Sequence, residues 1–136
     1  MALDFDKIQI GDEMPDAKNQ VGKYLPIYYA GASGDFNPIH IDPEFGKMVG
    51  LGGNILQGLC TMGFMARACT DWADDPGALK RLKVRFAKPV KPLDTVVVHG
   101  KVTEKSDDTI VCEMVADVEK TGEVVISNTV AEFRKD

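Results

Sequence analysis

The sequence predicts an α+β domain in which long antiparallel strands curve around one long helix. Residues 54–72 are apolar almost all the way round, and a helix without a polar face is a buried helix. The second half of the chain alternates apolar and polar residues over long runs, which is typical of strands that bury one face. A helix and strands of this length bury one another when the sheet curls around the helix.

The first half of the chain is rich in loops and short helices. We expect a short strand near residues 7–10, a helix over residues 25–32 and a turn at Gly34. Asp42 followed by proline is typical of a helix start, since the aspartate caps free N–H groups and proline suits the first turn. This helix runs through Val49, and the glycines that follow break it before the long helix begins.

Strands complete the predicted domain. The first alternates apolar with basic residues, the second is rich in valine, and the last two are joined by a turn at Gly122. Long antiparallel strands around a buried helix make the hot-dog fold, and we expect one such domain over residues 1–136. The strands are predicted at residues 81–86, 94–103, 110–118 and 123–134.

Composition and charge exclude several classes of protein. With 44% apolar and 27% charged residues, the chain of 136 residues is typical of a soluble globular domain. A net charge of −5 argues against binding to nucleic acid, which needs a basic surface. No apolar run reaches membrane-spanning length, the N-terminus lacks a signal-peptide pattern, and the C-terminus is not a peroxisomal address. We therefore expect a cytoplasmic protein with no membrane partner.

The cysteines and histidines argue against a metal site. Cys60, Cys69 and Cys112 are odd in number, show no C-x-x-C spacing and lie in apolar runs, so we expect them to be buried, reduced and inert. Two histidines, His40 and His99, and no cysteine pair leave a zinc ion too few ligands. We expect His99, which lies in a strand, to be structural.

The turn at residues 33–40, with the sequence SGDFNPIH, places a carboxylate and an imidazole five residues apart. Gly34 permits backbone angles that a side chain forbids, and Pro38 restricts both itself and the residue before it. Such a turn can direct Asp35 and His40 at one point in space, where they could add or remove water by acid–base catalysis. The residues alone also fit an ordinary turn followed by a half-buried histidine, because Asp, Asn, Gly and Pro are common turn formers.

The pattern S-G-D-x-N-P-x-H resembles the hydratase motif of the (R)-specific enoyl-CoA hydratases, also called MaoC-like dehydratases. The resemblance covers most of the chain, and its central-helix segment is most similar to the hydratase-2 unit of peroxisomal multifunctional enzymes. The catalytic B subunit of the mycobacterial hydroxyacyl-carrier-protein dehydratases is also similar. Gln57 stands where most of these relatives have His, and Leu93 where they often have Gly. The segments that carry the resemblance are residues 29–31, 33–40, 55–64, 75–78, 85–90 and 125–128.

The resemblance implies reversible hydration of trans-2-enoyl thioesters to (3R)-3-hydroxyacyl thioesters, with coenzyme A or acyl carrier protein as the carrier. Asp35 would act as base on the water or on the substrate's α-proton, and His40 would share the water and handle the second proton. Asn37 would orient the turn or the water, because an amide has no useful pKa. The resemblance also implies that no metal or redox cofactor takes part.

Gly58, near the start of the long helix, has two interpretations. Enolate-like charge on a thioester oxygen needs preorganised donors, and a helix start offers a free backbone N–H at the positive end of the dipole. The glycine could instead let the sheet pack close to the helix, as Gly63 could. The residues leave the choice open, and the resemblance implies the oxyanion role for Gly58.

Two further sets of residues could bind the substrate. Six cations lie within residues 80–91 of an acidic chain. They form either a solvated strand face or a landing site for the phosphates of coenzyme A or phosphopantetheine, and the candidates for the second role are Arg81, Lys83, Arg85 and Lys88. Methionine adapts to variable shapes, and although core packing is the simpler explanation, an acyl tunnel could be lined by Met48, Met62 and Met65.

A single hot-dog unit leaves a sheet edge unpaired, and the hydratase-2 relatives hold two such units in one chain. We therefore expect a homodimer, or else a heterodimer with a paralogue or a higher oligomer. Other functions also remain open: a hot-dog thioesterase, an acyl-thioester-binding protein without catalysis, and a dehydratase subunit that needs a paralogous partner. Residues 54–70 contain no carboxylate, which disfavours the thioesterase, and the intact Asp35 and His40 disfavour the binding protein.

Overall fold

Five antiparallel strands form one sheet in the computed structural model, which describes residues 3–135. Their order across the sheet is β1-β3-β4-β5-β2, so that β1 and β2 are the two edges. The three inner strands, of 10 or 11 residues, are the long strands that the alternating pattern predicted. In chain order the strands are β1 (Ala17–Gln20), β2 (Leu79–Phe86), β3 (Thr95–Lys105), β4 (Thr109–Val118) and β5 (Val124–Arg134).

The α-helices of this part of the chain all lie between β1 and β2. They are α1 (Leu25–Ser33), α2 (Pro38–Ile41), α3 (Pro43–Met48) and α4 (Gly58–Ala73). Proline stands in the first turn of α1, α2 and α3, where its missing N–H costs no hydrogen bond. The long helix α4 packs against β2 and β3, which confirms the predicted α+β class. Within residues 3–135, no helix combines the length and the apolar character needed to cross a bilayer.

The core lies between α4 and the sheet. Met65 on α4 and Phe133 on β5 are fully buried. Trp72 meets Phe133 edge to face, with ring centroids 5.2 Å apart, which is a favourable geometry for two aromatic rings. The last turns of α4 are thereby fixed on β5.

All three cysteines are buried and free, as expected. Burial raises the pKa of the Cys69 and Cys112 thiols to about 12, and it also raises the pKa of the Cys60 thiol. The thiolate is the reactive form of cysteine, so these side chains act as small apolar groups of the core.

The long helix starts four residues later than predicted, and the prediction that it is buried on all sides is wrong. Residues 54–57 are extended, because the N–H of Ile55 donates to the carbonyl of Ile39 (2.9 Å) and that of Leu56 to Val90 (2.8 Å). These bonds hold the segment between α2 and the loop after β2, so the helix can begin only at Gly58. Every fourth residue of α4 forms an exposed stripe, which consists of Leu59, Gly63, Arg67 and Asp71.

The strand predicted near residues 7–10 is also wrong. The N–H groups of Lys7 and Ile8 both donate to the carbonyl of Asp4, which forms a local turn and takes them out of any strand ladder. The first strand is instead β1, which pairs with the start of β3.

Candidate active site

The turn that carries Asp35 is built by side chains that bond the nearby backbone. Ser33, the last residue of α1, donates to the carbonyl of Tyr29 (2.7 Å) and accepts from the N–H of Asp35 (3.1 Å). Gly34 lies between them with a φ of 81°, a left-handed angle that glycine adopts without strain. The helix α1 therefore ends at this glycine, and the backbone changes direction before Asp35.

Asp35 and Asn37 shape the path to His40. Oδ1 of Asp35 accepts from the N–H of Asn37 (3.3 Å), and Oδ1 of Asn37 accepts from the N–H of Ile39 (3.2 Å). The second bond caps α2, the one-turn helix that carries His40. The amide of Asn37 thus holds the turn, and Oδ2 of Asp35 is left to face the imidazole.

His40 is held by one ring nitrogen and presents the other. Its side chain is 11% exposed, and Nδ1 lies 2.8 Å from the carbonyl oxygen of Ile55. Because a carbonyl only accepts hydrogen bonds, Nδ1 carries a proton, and in the neutral form of the imidazole the lone pair therefore lies on Nε2. Nε2 lies 3.5 Å from Oδ2 of Asp35. The side-chain amide of Asn54 donates to the backbone carbonyl of His40 (2.9 Å) and so holds the backbone of this residue in place.

The gap between Asp35 and His40 suits a small molecule held by both. A separation of 3.5 Å is long for a direct hydrogen bond between the two side chains. A water molecule placed beside them can donate one hydrogen to Oδ2 and one to Nε2, which leaves the lone pairs of its oxygen free to attack. The side chain of Asp35 is 48% exposed, so the pair also opens to solvent.

A pocket of about 260 Å³ lies beside His40. The start of α4, the end of β2 with the loop after it, and the start of β5 form its wall. Among the described residues no carboxylate lines it, so its interior suits an uncharged acyl group. The residues that shape it are Leu56, Gly58, Thr61, Phe86, Lys88, Val90, Val125 and Ile126.

Gly58 is the first residue of α4 and lines this pocket. No side chain among residues 3–135 caps the helix, so the first N–H groups of α4 lack a side-chain acceptor. A Cβ at position 58 would lie 3.0 Å from the ring of Phe86, so the glycine also admits a close aromatic contact. The two interpretations of Gly58 are therefore compatible. At Gly63 a Cβ would meet nothing within 4 Å, so close packing does not require glycine there.

Gln57 takes part in the site, although the sequence assigned it no role. It is 2% exposed, and its Nε2 donates to the carbonyls of Pro26 (2.9 Å) and, more weakly, Asp35 (3.5 Å). Since both partners only accept, the amide nitrogen must face them, and Oε1 is buried with no hydrogen-bond partner among the described residues. The side chain joins α1, Asp35 and the start of α4. In the sequence Gln57 stands out only as a departure from the His of most relatives, which does not reveal its partners Pro26 and Asp35.

The predicted acyl-tunnel methionines do not line this pocket. Met48 is 73% exposed at the end of α3, Met62 is half-buried on α4, and Met65 is fully buried in the core. Branched aliphatic residues form the apolar wall near His40 instead. The structure therefore does not bring these three side chains to the Asp35–His40 pair.

The predicted phosphate-binding residues lie in different settings. Arg81 forms an ion pair with Glu132 of β5 (3.0 Å). Lys83 and Arg85 are exposed on the edge strand and make no ion pair within residues 3–135. Of the four, only Lys88 lies at the pocket beside His40.

His99 lies on β3, outside this pocket, and bridges two carboxylates. Its Nδ1 is 2.9 Å from Asp16 and its Nε2 is 3.1 Å from Asp117 of β4. Partial burial lowers the pKa of His99, but the hydrogen bond to Asp16 and the charges of both carboxylates outweigh burial, so that the pKa is raised overall. Within the described chain, no group of three or more His, Cys, Asp or Glu side chains is arranged to hold a metal ion.

The chain is similar to a known protein family and to several known proteins. Residues 15–124 match the model of a family described as the MaoC like domain. The peroxisomal multifunctional enzyme type 2 of Mus musculus is 46% identical over 98 residues, which cover 71% of this chain and 13% of that enzyme. The probable enoyl-CoA hydratase 2 of Dictyostelium discoideum is 42% identical over 89 residues, which cover 62% of this chain and 30% of that protein. The chain thus spans less than a third of the length of either relative.

A solved structure has the same fold. A MaoC-like dehydratase superimposes with a TM-score of 0.91 at 30% sequence identity, over 97% of this chain and 42% of the other. The predicted hot-dog arrangement is thereby confirmed. The matched residues include the turn with Asp35 and His40 and the whole of α4. The chain belongs to the family of MaoC-like dehydratase domains.

Proposed function

We propose that the chain is a hydro-lyase that adds water reversibly to trans-2-enoyl thioesters and forms (3R)-3-hydroxyacyl thioesters. The observation that carries the proposal is the convergence of Oδ2 of Asp35 and Nε2 of His40 beside an apolar pocket. Membership of the family and a relative named enoyl-CoA hydratase 2 support the same class of reaction. Addition of water is redox-neutral, so the proposed reaction needs no redox carrier.

In the direction of hydration, water held between Asp35 and His40 attacks C3 of the enoyl group. As the C–O bond forms, one proton passes from the water to the pair, and the electrons of the C2=C3 bond move onto the thioester oxygen. The pair then returns a proton to C2, the enolate becomes a thioester again, and the pair ends in its starting state. Because Nδ1 of His40 keeps its proton for Ile55, Nε2 is the nitrogen that exchanges protons.

The N–H of Gly58 would stabilise the charge that develops on the thioester oxygen. It stands at the positive end of the α4 dipole, with no capping side chain among the described residues to compete for it. Since Gly58 and His40 line the same pocket, a bound thioester can meet both. This arrangement would lower the barrier to enolate formation in either direction.

The positions of Asp35 and His40 also bear on the stereochemistry. Because Asp35 and His40 share one water, we propose that hydrogen and hydroxyl add to one face of the double bond. We propose the (3R) configuration because the turn motif resembles that of the (R)-specific hydratases.

Hydration of crotonyl-CoA tests the proposed reaction. We expect loss of the conjugated enoyl thioester and formation of 3-hydroxybutyryl-CoA, whose R configuration can be read by chiral chromatography after hydrolysis. Release of free thiol without hydration would instead identify a thioesterase, and tight binding without turnover would identify a binding protein. Turnover that requires a second, paralogous chain would identify a subunit of a larger enzyme.

We further propose a dimer joined along β2. This edge strand has eight residues, and an unpaired edge invites pairing with another chain. Its last residue, Phe86, lines the pocket, so a dimer joined here places both sites near the interface. Three large apolar side chains are also exposed, and a partner chain could cover them: Phe36 (56%), Leu59 (63%) and Phe86 (52%). Sedimentation equilibrium at micromolar concentration should show the dimer, whereas a folded monomer would contradict it.

We also propose a cytoplasmic location. The support is the presence of three buried free thiols, which suit a reducing compartment. Fractionation of cells that produce the intact protein tests this proposal, and recovery with peroxisomes or with secreted material would contradict it.

A further inference from the structure

Thr61 is a buried polar residue in the first turn of α4, on the wall of the pocket beside His40. The residue is 2% exposed, and its hydroxyl makes no hydrogen bond within the described part of the chain. Thr129 is 1% exposed and lies outside this pocket, and its hydroxyl donates to the carbonyl of Ser127 (3.3 Å). A buried hydroxyl without a partner is costly, and valine would fill the same space, so packing alone does not account for a threonine at position 61.

The hydroxyl of Thr61 reaches the pocket. Among residues 3–135, the only fully enclosed side-chain nitrogen or oxygen without a hydrogen-bond partner is Oε1 of Gln57. The hydroxyl of Thr61 also lacks a partner, so it is not fully enclosed, and the pocket is the cavity that this buried residue lines. A molecule in the pocket can therefore form the hydrogen bond that the protein leaves unmade.

Thr61 lies three residues after Gly58, on the same face of α4. The Cα–Cβ bonds of a helix tilt toward its N-terminus, so a side chain covers the turn that precedes it. The side chain of Thr61 therefore extends toward the backbone of Gly58, which has no side chain to block it. Since both residues line the pocket, the hydroxyl and the N–H of Gly58 can meet the same atom of a ligand.

The start of α4 offers this ligand only one backbone donor from the described chain. The N–H groups of Cys60 and Thr61 donate to the carbonyl of Gln57 (3.0 and 3.4 Å), whereas those of Gly58 and Leu59 have no acceptor within residues 3–135. Leu59 is 63% exposed and does not line the pocket, which leaves the N–H of Gly58. A carbonyl oxygen has two lone pairs, so a single N–H leaves one of them for a second donor.

We propose that Thr61 is a catalytic residue whose hydroxyl donates a hydrogen bond to the thioester oxygen of the substrate, beside the N–H of Gly58. The inference rests on the proposed hydration of enoyl thioesters and adds a second donor to that site. The charge on this oxygen is greatest in the enolate, so the donor stabilises the enolate more than the substrate. It therefore raises kcat more than it lowers KM, and the hydroxyl keeps its proton throughout.

Hydration of crotonyl-CoA by variants at position 61 tests the proposal. Thr61→Val removes the hydroxyl and keeps the shape, so kcat should fall about 100-fold while KM changes less than about 3-fold. Thr61→Ser keeps the hydroxyl and should retain kcat within about 5-fold of the unmodified protein. Thr129→Val is the matched control, because it makes the same change at a buried threonine outside the pocket and should alter neither constant. Urea denaturation should show Thr61→Val to be at least as stable as the unmodified protein, since an unpartnered hydroxyl is removed.

Acetoacetyl-CoA provides a measurement that does not require turnover. This β-ketoacyl thioester forms an enolate that absorbs in the near ultraviolet, and donors at the thioester oxygen increase the fraction of bound ligand in that form. We expect the ratio of enolate to keto form, at one pH, to be about 10-fold lower with Thr61→Val than with the unmodified protein, because a hydrogen bond to a charged oxygen is lost. Thr61→Ser should restore the ratio.

The outcomes distinguish this inference from the proposed function. Failure of the unmodified protein to hydrate crotonyl-CoA would count against the function, and the enolate ratio would then decide the role of Thr61 by itself. The inference is wrong if Thr61→Val hydrates crotonyl-CoA as fast as the unmodified protein, or if the two proteins give the same enolate ratio. Equal losses of kcat in Thr61→Ser and Thr61→Val would assign the effect to the methyl group, and an equal loss in Thr129→Val would assign it to core packing. Either result would overturn the proposed donor.

Discussion

Gly46 of α3 and Gly53 approach each other so closely that no side chain fits between them. A Cβ at position 46 would overlap the carbonyl oxygen of Gly53. Gly53 is followed by Asn54 and Ile55, which bond the backbone carbonyl and the Nδ1 atom of His40. The contact between the two glycines therefore helps to position the segment that holds the imidazole.

Gly46→Ala should destabilise the fold by about 2–3 kcal/mol, because the new methyl group meets backbone that cannot move aside as a flexible side chain can. Gly63→Ala is the matched control. Its Cβ meets nothing within 4 Å, and alanine is the better helix former, so we expect a gain of about 0.5–1 kcal/mol. Urea denaturation measures both free energies of unfolding. Equal changes in the free energy of unfolding for the two variants would mean that the contact between Gly46 and Gly53 does not constrain the segment that follows Gly53.

Asp35→Asn and His40→Gln should each lower kcat for hydration about 10²–10⁴-fold, because each removes a group that exchanges protons. Asparagine at position 35 retains an oxygen that can accept from the N–H of Asn37, so the turn and KM should change little. Because both groups act on one water, the double variant should be scarcely slower than the slower single variant. Steady-state kinetics with crotonyl-CoA provide the measurement, and near-normal hydration by Asp35→Asn would show that this turn is not the active site.

Gln57→Met should lower kcat about 10- to 100-fold through the position of Asp35, because a small misplacement of a reacting group is costly. Methionine has a similar volume but cannot donate to Pro26 or Asp35. Stability should change by only about 1 kcal/mol, since the lost hydrogen bonds are offset by removal of the unpartnered Oε1. Kinetics and urea denaturation of the same preparation test both parts. An unchanged kcat would leave Gln57 with a packing role alone.

His99 should make the stability of the fold depend on pH. Its pKa is raised in the folded chain. Its ion pairs with Asp16 and Asp117 therefore stabilise the folded state to their full extent when the pH is below the ordinary histidine pKa of about 6.5. That contribution is lost as the pH rises through the raised pKa of the folded state. The difference in free energy of unfolding between the unmodified chain and His99→Gln should therefore be larger at acidic pH near 6 than at pH 9. Urea denaturation at both values checks the sign, and a larger difference at pH 9 would reverse the assignment.

The turn at residues 33–40 and the inner strands could be predicted because their determinants are local. Gly34 selects a backbone angle, and Asp35 and Asn37 bond N–H groups only two residues away. In β4, alternate residues are buried, so the order of residue types along the strand records which face meets the core. Short-range effects of this kind are visible in a sequence without knowledge of the fold.

The start of α4, the role of Gln57 and the lining of the pocket could not be predicted, because they depend on distant partners. Leu56 is held in extended form by Val90, and Gln57 is oriented by Pro26. Because methionine fits both a core and a ligand tunnel, the residue type does not tell which way its side chain points. Met65 was therefore assigned to a tunnel, although the fold places it in the core. The helix was predicted to be buried all round because its polar residues are few, and its exposed stripe includes the apolar Leu59 and Gly63 beside the charged Arg67 and Asp71.

The buried thiols of Cys69 and Cys112 can report how often the core of the chain opens. With pKa values of about 12 and Sγ of Cys69 only 3.4 Å from Sδ of Met114, they can meet a thiol reagent only when α4 separates from the sheet. The turn with Asp35 contains no cysteine and lies away from these two thiols in the sequence, so its local loosening leaves the labelling rates of Cys69 and Cys112 unchanged. The labelling rate of these thiols would therefore measure opening of the core, and the rate at which activity is lost would measure loosening of the turn with Asp35. Neither measurement needs a probe introduced into the chain.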